Sequence, residues 1–166
     1  MSVYVTVGST GFEELIEAVS SRELLQALAS RGFWRLIVQY GSSGEVFGLP
    51  DTASTELGIT VEAFDYTSRP QQLVDQADLV ISHAGAGSIL EALHSNKPLI
   101  VVVNKRLMNN HQSEIAIELA KGGYLAVAAP AELAEAVSRG VFTKLSPYPH
   151  ADPRPIGEII DEETLL

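Results

Sequence analysis

The stretch that decides the fold runs Ala77-Asp78-Leu79-Val80-Ile81-Ser82-His83-Ala84-Gly85-Ala86-Gly87-Ser88-Ile89-Leu90-Glu91-Ala92-Leu93. Its apolar run predicts a buried strand over Leu79–Ser82, followed by a glycine turn and a helix. Backbone N–H groups and the positive end of the helix dipole would then meet beyond the strand, at a spot that suits a diphosphate. Glu91 lies about one helical turn beyond Gly87 and so within reach of a sugar attached to that diphosphate. The stretch predicts a nucleoside-diphosphate site.

The same alternation of apolar runs and amphipathic segments continues along the whole chain. Strands are predicted at Val3–Val7, Leu36–Gln39, Thr60–Ala63, Leu79–Ser82, Leu99–Val103 and Leu125–Val127. Helices are predicted at Phe12–Val19, Arg22–Ser30, Gln71–Gln76, Ser88–His94, His111–Lys121 and Pro130–Arg139, the first two being separate or one helix with a break. Uninterrupted Val, Ile and Leu runs indicate strands covered on both faces. The pattern predicts an α/β fold with a doubly wound, mainly parallel, Rossmann-like sheet that binds ligands at the strands' carboxyl ends.

Composition excludes several kinds of site and partner. The 166 residues contain no cysteine and carry a formal net charge of −10. Disulfides, thiolate catalysis and cysteine metal sites are excluded, and the acidic balance argues against a nucleic-acid partner. We identify no metal-ligand spacing and expect no metal or other cofactor. The sequence lacks a leader pattern and an apolar run of roughly 20 residues, so we expect a cytoplasmic, soluble protein.

Two segments depart from the regular alternation. The Gly- and Ser-rich segment Tyr40–Leu57 is predicted to be a surface loop. From position 146 four prolines precede a short predicted terminal helix, Ile156–Leu166, and its apolar residues would dock on this domain or on a partner. We therefore divide the chain into a main domain, residues 1–145, and a C-terminal strap and helix, residues 146–166.

Two further loops carry candidate ligand groups beside alternatives that are purely structural. Gly8, Ser9 and Thr10 follow the first strand and suit a phosphate or sugar hydroxyl, although helix capping alone would explain them. Three functions are open for His83. It would be structural, it would donate a hydrogen bond to a diphosphate oxygen, or its side chain would pair with that of Glu91.

The third loop follows the strand Leu99–Val103. Asn109 and Asn110 suit a helix cap, whereas His111 and Gln112 at the helix start suit sugar hydroxyls.

Three segments together carry a resemblance to a known family. They are Val5–Ile16, Ala77–Leu93, and Lys97–Val102 with Leu107–Gln112. The chain resembles, over essentially its whole length, the cytosolic subunit of the eukaryotic two-component UDP-N-acetylglucosamine transferase of N-glycan assembly. That family is similar to the C-terminal half of the bacterial peptidoglycan GlcNAc transferase, a family 28 glycosyltransferase.

The resemblance implies the donor-binding half of a GT-B glycosyltransferase. A membrane-anchored, acceptor-binding subunit would hold this chain at the cytosolic face of the endoplasmic reticulum. GlcNAc would pass with inversion from UDP-GlcNAc to dolichol-diphosphate-GlcNAc, and enzymes of this architecture generally need no divalent metal.

The resemblance also assigns functions to individual residues. Gly85, Ala86, Gly87 and Ser88 would bind the diphosphate, and Glu91 the ribose hydroxyls. Phe64 would contact uracil. Gln112, with Asn110 and His111 beside it, would bind GlcNAc, and Gly8, Ser9 and Thr10 would face the cleft. His83 is a local candidate for the catalytic base, although that base would equally lie on the partner.

This chain departs from the family at two positions. Family members often carry an acid where Asn109 stands and a threonine where Ser9 stands, so an acid function at position 109 is excluded here.

Two other classes of function compete with the enzyme. A non-catalytic nucleotide-sugar-binding or scaffold module is the main alternative. A Rossmann-type oxidoreductase is disfavoured, because the dinucleotide fingerprint and its acid about 20 residues further on are both missing.

Overall fold

The computed structural model describes residues 1–9, 11–48, 53–103 and 111–149. Six strands form one sheet in the order β3-β2-β1-β4-β5-β6, and every pairing within the described residues is parallel. The strands are β1 (Ser2–Thr6), β2 (Arg35–Gln39), β3 (Thr60–Phe64), β4 (Leu79–His83), β5 (Leu99–Val102) and β6 (Ala126–Ala128). The chain runs outward from β1 to one edge and returns beside β1 to build the other half. The predicted doubly wound α/β fold is confirmed.

Seven α-helices connect these strands in the described residues. They are α1 (Glu13–Val19), α2 (Arg22–Ser30), α3 (Ala53–Leu57), α4 (Pro70–Gln76), α5 (Ala86–His94), α6 (His111–Lys121) and α7 (Leu133–Arg139). The Ser21 side chain accepts a hydrogen bond from the Leu24 amide at 3.2 Å, so α2 has its own cap and is separate from α1. The segment predicted as one helix over Pro130–Arg139 divides into a 3₁₀ turn, Pro130–Glu132, and α7.

The prediction that Tyr40–Leu57 is a surface loop is wrong in part. The segment contains a 3₁₀ turn at Gly44–Val46 and the helix α3. Its few apolar side chains explain the difference. Tyr40 stacks on Phe47 with ring centroids 5.8 Å apart, and both pack with Leu57 against the core.

The central strands bury both faces, as their apolar runs predict. Val3 and Val5 face α1, α2 and α7, whereas Tyr4 faces α4, α5 and α6. All three side chains are fully buried. Each such burial contributes about 1.5–3 kcal/mol relative to exposure.

The edge strand β3 contradicts the expectation that every strand is covered on both faces. Thr60, Glu62 and Ala63 are exposed, because β3 pairs only with β2. Glu62 forms a 2.8 Å ion pair with Arg35 on the neighbouring strand. The strand predicted at Thr60–Ala63 is confirmed, but the expectation that both its faces are covered is wrong.

The start of the predicted C-terminal strap packs on the main domain. The Ser146 amide donates to the Gly123 carbonyl at 2.9 Å, and Tyr148 meets Tyr124 edge to face at 5.3 Å. The predicted terminal helix, Ile156–Leu166, lies outside the described residues. None of the helices within the described ranges is long and apolar enough to cross a membrane.

The strand register brings four side chains into one row near the carboxyl edge of the sheet. Thr6 lies opposite Ser82 on one side and Gln39 on the other, and Gln39 lies opposite Phe64. Paired residues of parallel strands point to the same face. The row therefore spans four adjacent strands beneath the loops that carry the candidate site.

The imidazole of His83 packs between the two loops that leave β1 and β4. A methyl group on Gly8 would come within 2.9 Å of the His83 Cε1 atom, and one on Gly85 would overlap Nε2. Gly8 also has a φ of +70°, which side chains rarely adopt. Both glycines are therefore required where the ring passes, and His83 fixes the spacing of the two loops.

We expect Gly85→Ala to lower the free energy of unfolding by about 1–3 kcal/mol, since the added methyl overpacks the imidazole. Gly85 has a φ of −72°, which alanine adopts without strain. In a His83→Ala background most of this cost should disappear, which urea denaturation of the four proteins would measure. Gly87→Ala is the control, because a methyl there meets nothing within 4 Å. An equal cost in both backgrounds would contradict the packing account.

Candidate functional site

A cleft of about 440 Å³ opens at the carboxyl edge of the sheet, between the loops that follow β1, β3 and β4. Five of the predicted site residues line it: Gly8, Ser9, Gly87, Ser88 and Glu91. The sequence analysis missed six other polar or aromatic lining residues, which are Tyr4, Thr6, Gln39, Tyr66, Thr67 and Ser68. The cleft lies where β1 and β4 diverge, which is the expected ligand position in a doubly wound sheet.

Helix α5 begins at the cleft with its N-terminal amides uncapped. Gly85, the N-cap residue, supplies no side chain to those amides, and the first turn contains no acidic residue. Ala86 and Gly87 are exposed, and a methyl on Gly87 would meet nothing within 4 Å. Open space therefore lies over a helix N-terminus whose N–H groups and dipole favour an anion.

Glu91 faces the same cleft from the next turn of α5. Its carboxylate has no hydrogen-bond partner in the part of the chain that the structure describes. Its charge acts on Tyr4, in the floor. Burial raises the pKa of Tyr4 to about 12, a hydrogen bond with Thr6 lowers it in part, and the charge of Glu91 adds to the rise. Glu91 is therefore a half-buried acceptor beside the anion site. Because its carboxylate makes no hydrogen bond to a described residue, it is available to a ligand.

The floor of the cleft is a small polar network on β1 and β2. The Tyr4 hydroxyl donates to Gln39 Oε1 at 2.7 Å, and the Thr6 hydroxyl donates to the same oxygen at 3.1 Å. The Gly8 amide donates in turn to Thr6 Oγ1 at 3.2 Å. These bonds connect the loop after β1 to the buried floor.

The wall opposite α5 comes from the loop between β3 and α4. Local bonds shape this loop, since the Tyr66 amide donates to Asp65 Oδ1 at 2.7 Å and the Arg69 amide donates to Thr67 Oγ1 at 3.1 Å. The Tyr66 ring is 68% exposed at the rim of the cleft. Tyr66 lines the cleft wall, and Phe64 is half-buried and packs against the core beneath the cleft. The contact of Phe64 with uracil that the resemblance implies stays a prediction.

His83 lies behind the cleft rather than in its lining. Burial lowers the pKa of the imidazole, partly opposed by a hydrogen bond with the backbone of Thr6, so the ring is neutral near pH 7. Nδ1 is buried without a partner in the described residues, and no hydrogen bond joins the ring to Glu91 there. The predicted pair with Glu91 is absent from the described structure.

The third predicted loop is only partly described. Thr10 and Asn110 lie outside the described residues, and so does Asn109. Helix α6 begins at His111, as predicted, but the side chains of His111 and Gln112 are not among those described. The prediction that these residues bind a sugar therefore stays a prediction.

Two other hollows occur elsewhere on the molecule, without this combination of groups. One of about 400 Å³ lies at the opposite end of the sheet, among Met1, Phe33 and Phe142. The other, of about 570 Å³, lies between α1 and Pro130 and is lined by three glutamates. In the described ranges no three His, Asp or Glu side chains are placed to hold a metal ion. The cleft at α5 is therefore the candidate site.

Comparison with known proteins shows the family of the chain. Residues 2–160 match the model of the glycosyltransferase family 28 C-terminal domain. The UDP-N-acetylglucosamine transferase subunit ALG13 of Homo sapiens is 49% identical over 123 residues, which are 74% of this chain and 10% of that protein. The subunit of the same name from Saccharomyces cerevisiae is 37% identical over 178 residues, covering 89% of this chain and 88% of that protein. The chain thus spans about a tenth of the human relative but most of the yeast one.

Solved structures show the same fold. The solution structure of ALG13 superposes with a TM-score of 0.66 at 31% identity, covering 95% of this chain and 94% of that chain. The crystal structure of Acinetobacter baumannii MurG gives a TM-score of 0.63 at 18% identity, covering 99% of this chain and 50% of that chain. Because the family match extends over residues 2–160 and the yeast relative is covered over most of its length, the chain belongs to the family of glycosyltransferase family 28 C-terminal domains.

Proposed function

We propose that this chain is the donor-binding catalytic subunit of an inverting GT-B glycosyltransferase. It would move GlcNAc from UDP-GlcNAc to dolichol-diphosphate-GlcNAc. The observation that carries the proposal is the uncapped N-terminus of α5, which opens into a polar cleft beside the unpaired Glu91. The names of the relatives, UDP-N-acetylglucosamine transferase subunits, support the donor and the reaction class.

We assign a group of residues to each part of the donor. The diphosphate would lie over the amides of Ala86, Gly87 and Ser88, with the Ser88 hydroxyl adding a donor. Glu91 would accept hydrogen bonds from the ribose hydroxyls, since a carboxylate is an acceptor only. Gln112, with Asn110 and His111, would hold the GlcNAc hydroxyls. Gly8, Ser9 and Thr10 would border the sugar and the acceptor.

Catalysis would come from positioning and from stabilising the leaving group. The acceptor hydroxyl attacks the anomeric carbon of GlcNAc, its proton passes to a base, and the bond to the β-phosphate breaks with its electron pair on UDP. The α5 amides then meet a growing negative charge with donors already oriented, which lowers the barrier. His83 would act by positioning the loops of Gly8 and Gly85, and the base would come from the partner.

The acceptor half would lie on a second polypeptide. The word "subunit" in the relatives' names supports a complex, and the described residues form a single sheet. We propose a membrane-anchored partner that binds the dolichol-linked acceptor and holds this chain at the cytosolic face of the endoplasmic reticulum. The terminal segment 156–166 is a candidate contact with that partner.

A non-catalytic nucleotide-sugar-binding or scaffold module is the alternative. Such a module would bind UDP-GlcNAc in the same cleft, but its complex with the partner would not transfer GlcNAc. Measuring GlcNAc transfer to dolichol-diphosphate-GlcNAc by the co-expressed complex separates the two functions.

A diphosphate at the α5 N-terminus predicts that Gly87→Ala weakens UDP binding without lowering the stability of the fold. The methyl meets no protein atom and replaces a helical glycine, so the free energy of unfolding should stay the same or rise by up to about 1 kcal/mol. The same methyl would obstruct a diphosphate at the amides, and calorimetry should show UDP binding weakened at least about tenfold.

Gly48→Ala is the matched control, because a methyl there also meets nothing within 4 Å and Gly48 does not line the cleft. It should leave UDP affinity unchanged. UDP affinity that is equal in wild type and Gly87→Ala would place the diphosphate elsewhere.

Glu91→Gln should weaken UDP binding by roughly 1.5–3 kcal/mol, the range for hydrogen bonds to a charged group. The fold should be unaffected, because the carboxylate makes no hydrogen bond to a described residue. Wild type should bind 2′-deoxy-UDP or 3′-deoxy-UDP more weakly than UDP, and Glu91→Ala, which leaves no acceptor at this position, should lose that preference. A preference retained in Glu91→Ala would show that another group binds the ribose.

A further inference from the structure

Gln39 is a buried polar residue in the cleft floor that the proposed donor contacts do not use. It ends β2, is 5% exposed, and lies in the row between Thr6 and Phe64. Polar side chains buried this deeply normally have all their hydrogen-bonding groups satisfied. The oxygen and the nitrogen of its amide, however, have different surroundings.

The oxygen of the Gln39 amide is fully engaged by the protein. It accepts hydrogen bonds from Tyr4 Oη at 2.7 Å and Thr6 Oγ1 at 3.1 Å. Both groups are donors here. Thr6 Oγ1 also accepts from the Gly8 amide at 3.2 Å, and Tyr4 is protonated near neutral pH. Because the two hydroxyls hold the oxygen end of the amide, Nε2 is the end that stays available to a ligand.

The nitrogen of the same amide has no partner within the described residues. No hydrogen bond from Nε2 is found there, although the side chain lines the cleft. Its protons therefore face the cleft, in a side chain that the protein holds from the other end. Nε2 is not among the buried side-chain atoms that lack a partner, so this nitrogen is open to the cleft. A donor that is oriented, unpaired and open to the cleft is placed to bind an acceptor on a ligand.

The position of Gln39 in the sheet indicates which part of a nucleotide it meets. It lies two strands away from β4, which leads into α5, and neighbouring strands are about 4.8 Å apart. Glu91 acts on Tyr4 of the strand between them. When the diphosphate binds at α5 and the ribose binds at Glu91, the base of the same nucleotide lies over β2. There it is beside the Tyr66 ring and Pro70.

We propose that Gln39 reads the nucleobase, its Nε2–H group donating to a carbonyl oxygen of uracil. The inference rests on the proposed UDP-sugar site and adds a specificity-determining residue to it. Tyr4 and Thr6 are then positioning residues that orient the Gln39 amide. Uracil has two carbonyl oxygens, O2 and O4, and the test examines both.

The test measures the affinity of the whole chain for UDP, 2-thio-UDP and 4-thio-UDP by calorimetry. Sulfur is a weak acceptor, so wild type should bind one thio analogue less tightly than UDP. Gln39→Glu keeps an oxygen for Tyr4 and Thr6 but removes the donor, and Gln39→Met removes both without adding charge. Each should bind UDP about three- to tenfold more weakly and should no longer distinguish UDP from that analogue. The ratio between analogues cancels any repulsion between the diphosphate and the carboxylate introduced by Gln39→Glu.

Gln26→Met, at an exposed position on α2, is the matched control and should behave as wild type. Equal binding of all three ligands by wild type, or discrimination that persists in the Gln39 variants, would overturn the assignment of Gln39. UDP binding with normal affinity in the Gln39 variants would also overturn the assignment of Gln39, but it would leave the proposed function intact. No UDP binding by wild type would overturn both proposals.

A second measurement needs no variant. The side-chain amide protons of Gln39 should shift in the NMR spectrum of wild type when UDP is added, and should not shift with ribose 5-phosphate, which lacks the base. Equal shifts with both ligands would contradict base recognition.

Discussion

At the centre of the sheet β1 pairs in parallel with β4, with Thr6 opposite Ser82, and the chain leaves these two strands toward opposite faces. The connection from β1 leads to α1, whose Leu15 packs on one face, and that from β4 leads to α5, whose Ile89 packs on the other. Two loops that must diverge from adjacent strands leave a gap between them. The cleft, the helix N-terminus and the polar floor all depend on this one pairing.

The spacing of that gap is set by a side chain rather than by the sheet alone. His83 fills the space between Gly8 and Gly85, and its burial lowers its pKa, so the spacer is uncharged. None of the described residues that line the cleft is cationic, so among them the α5 dipole and the N-terminal amides supply the positive potential. Glu91, one turn further along α5, adds an acceptor, and the Gln39 amide on β2 adds a donor.

Sequence reasoning predicted the parts of this structure that depend on local order along the chain. The apolar runs of β1, β2, β4 and β5, the glycine turn before α5 and the position of Glu91 all follow from short-range pattern. Glu91 could be assigned because helix geometry fixes its distance from Gly87.

The missed features depend on contacts between segments that are distant in sequence. Gln39 and Tyr4 look like interruptions in buried strands, and only the register of β1 against β2 brings them together. Tyr66, at the rim of the cleft, likewise joins the site only through the fold of the loop between β3 and α4. The exposure of β3 depends on its place at the sheet edge, although the polar Thr60 and Glu62 on either side of Val61 already indicate a partly solvated strand.

The central claim is that the α5 N-terminus and Glu91 bind a nucleoside diphosphate, and an NMR titration of the wild-type chain with UDP tests it most directly. The account predicts that the amide signals of Gly87, Ser88 and Glu91 move in fast or slow exchange with a single affinity, and that uridine moves those of Gly87 and Ser88 far less. Signals that move instead around Met1 and Phe142, at the opposite end of the sheet, or no response to UDP at all, would contradict it.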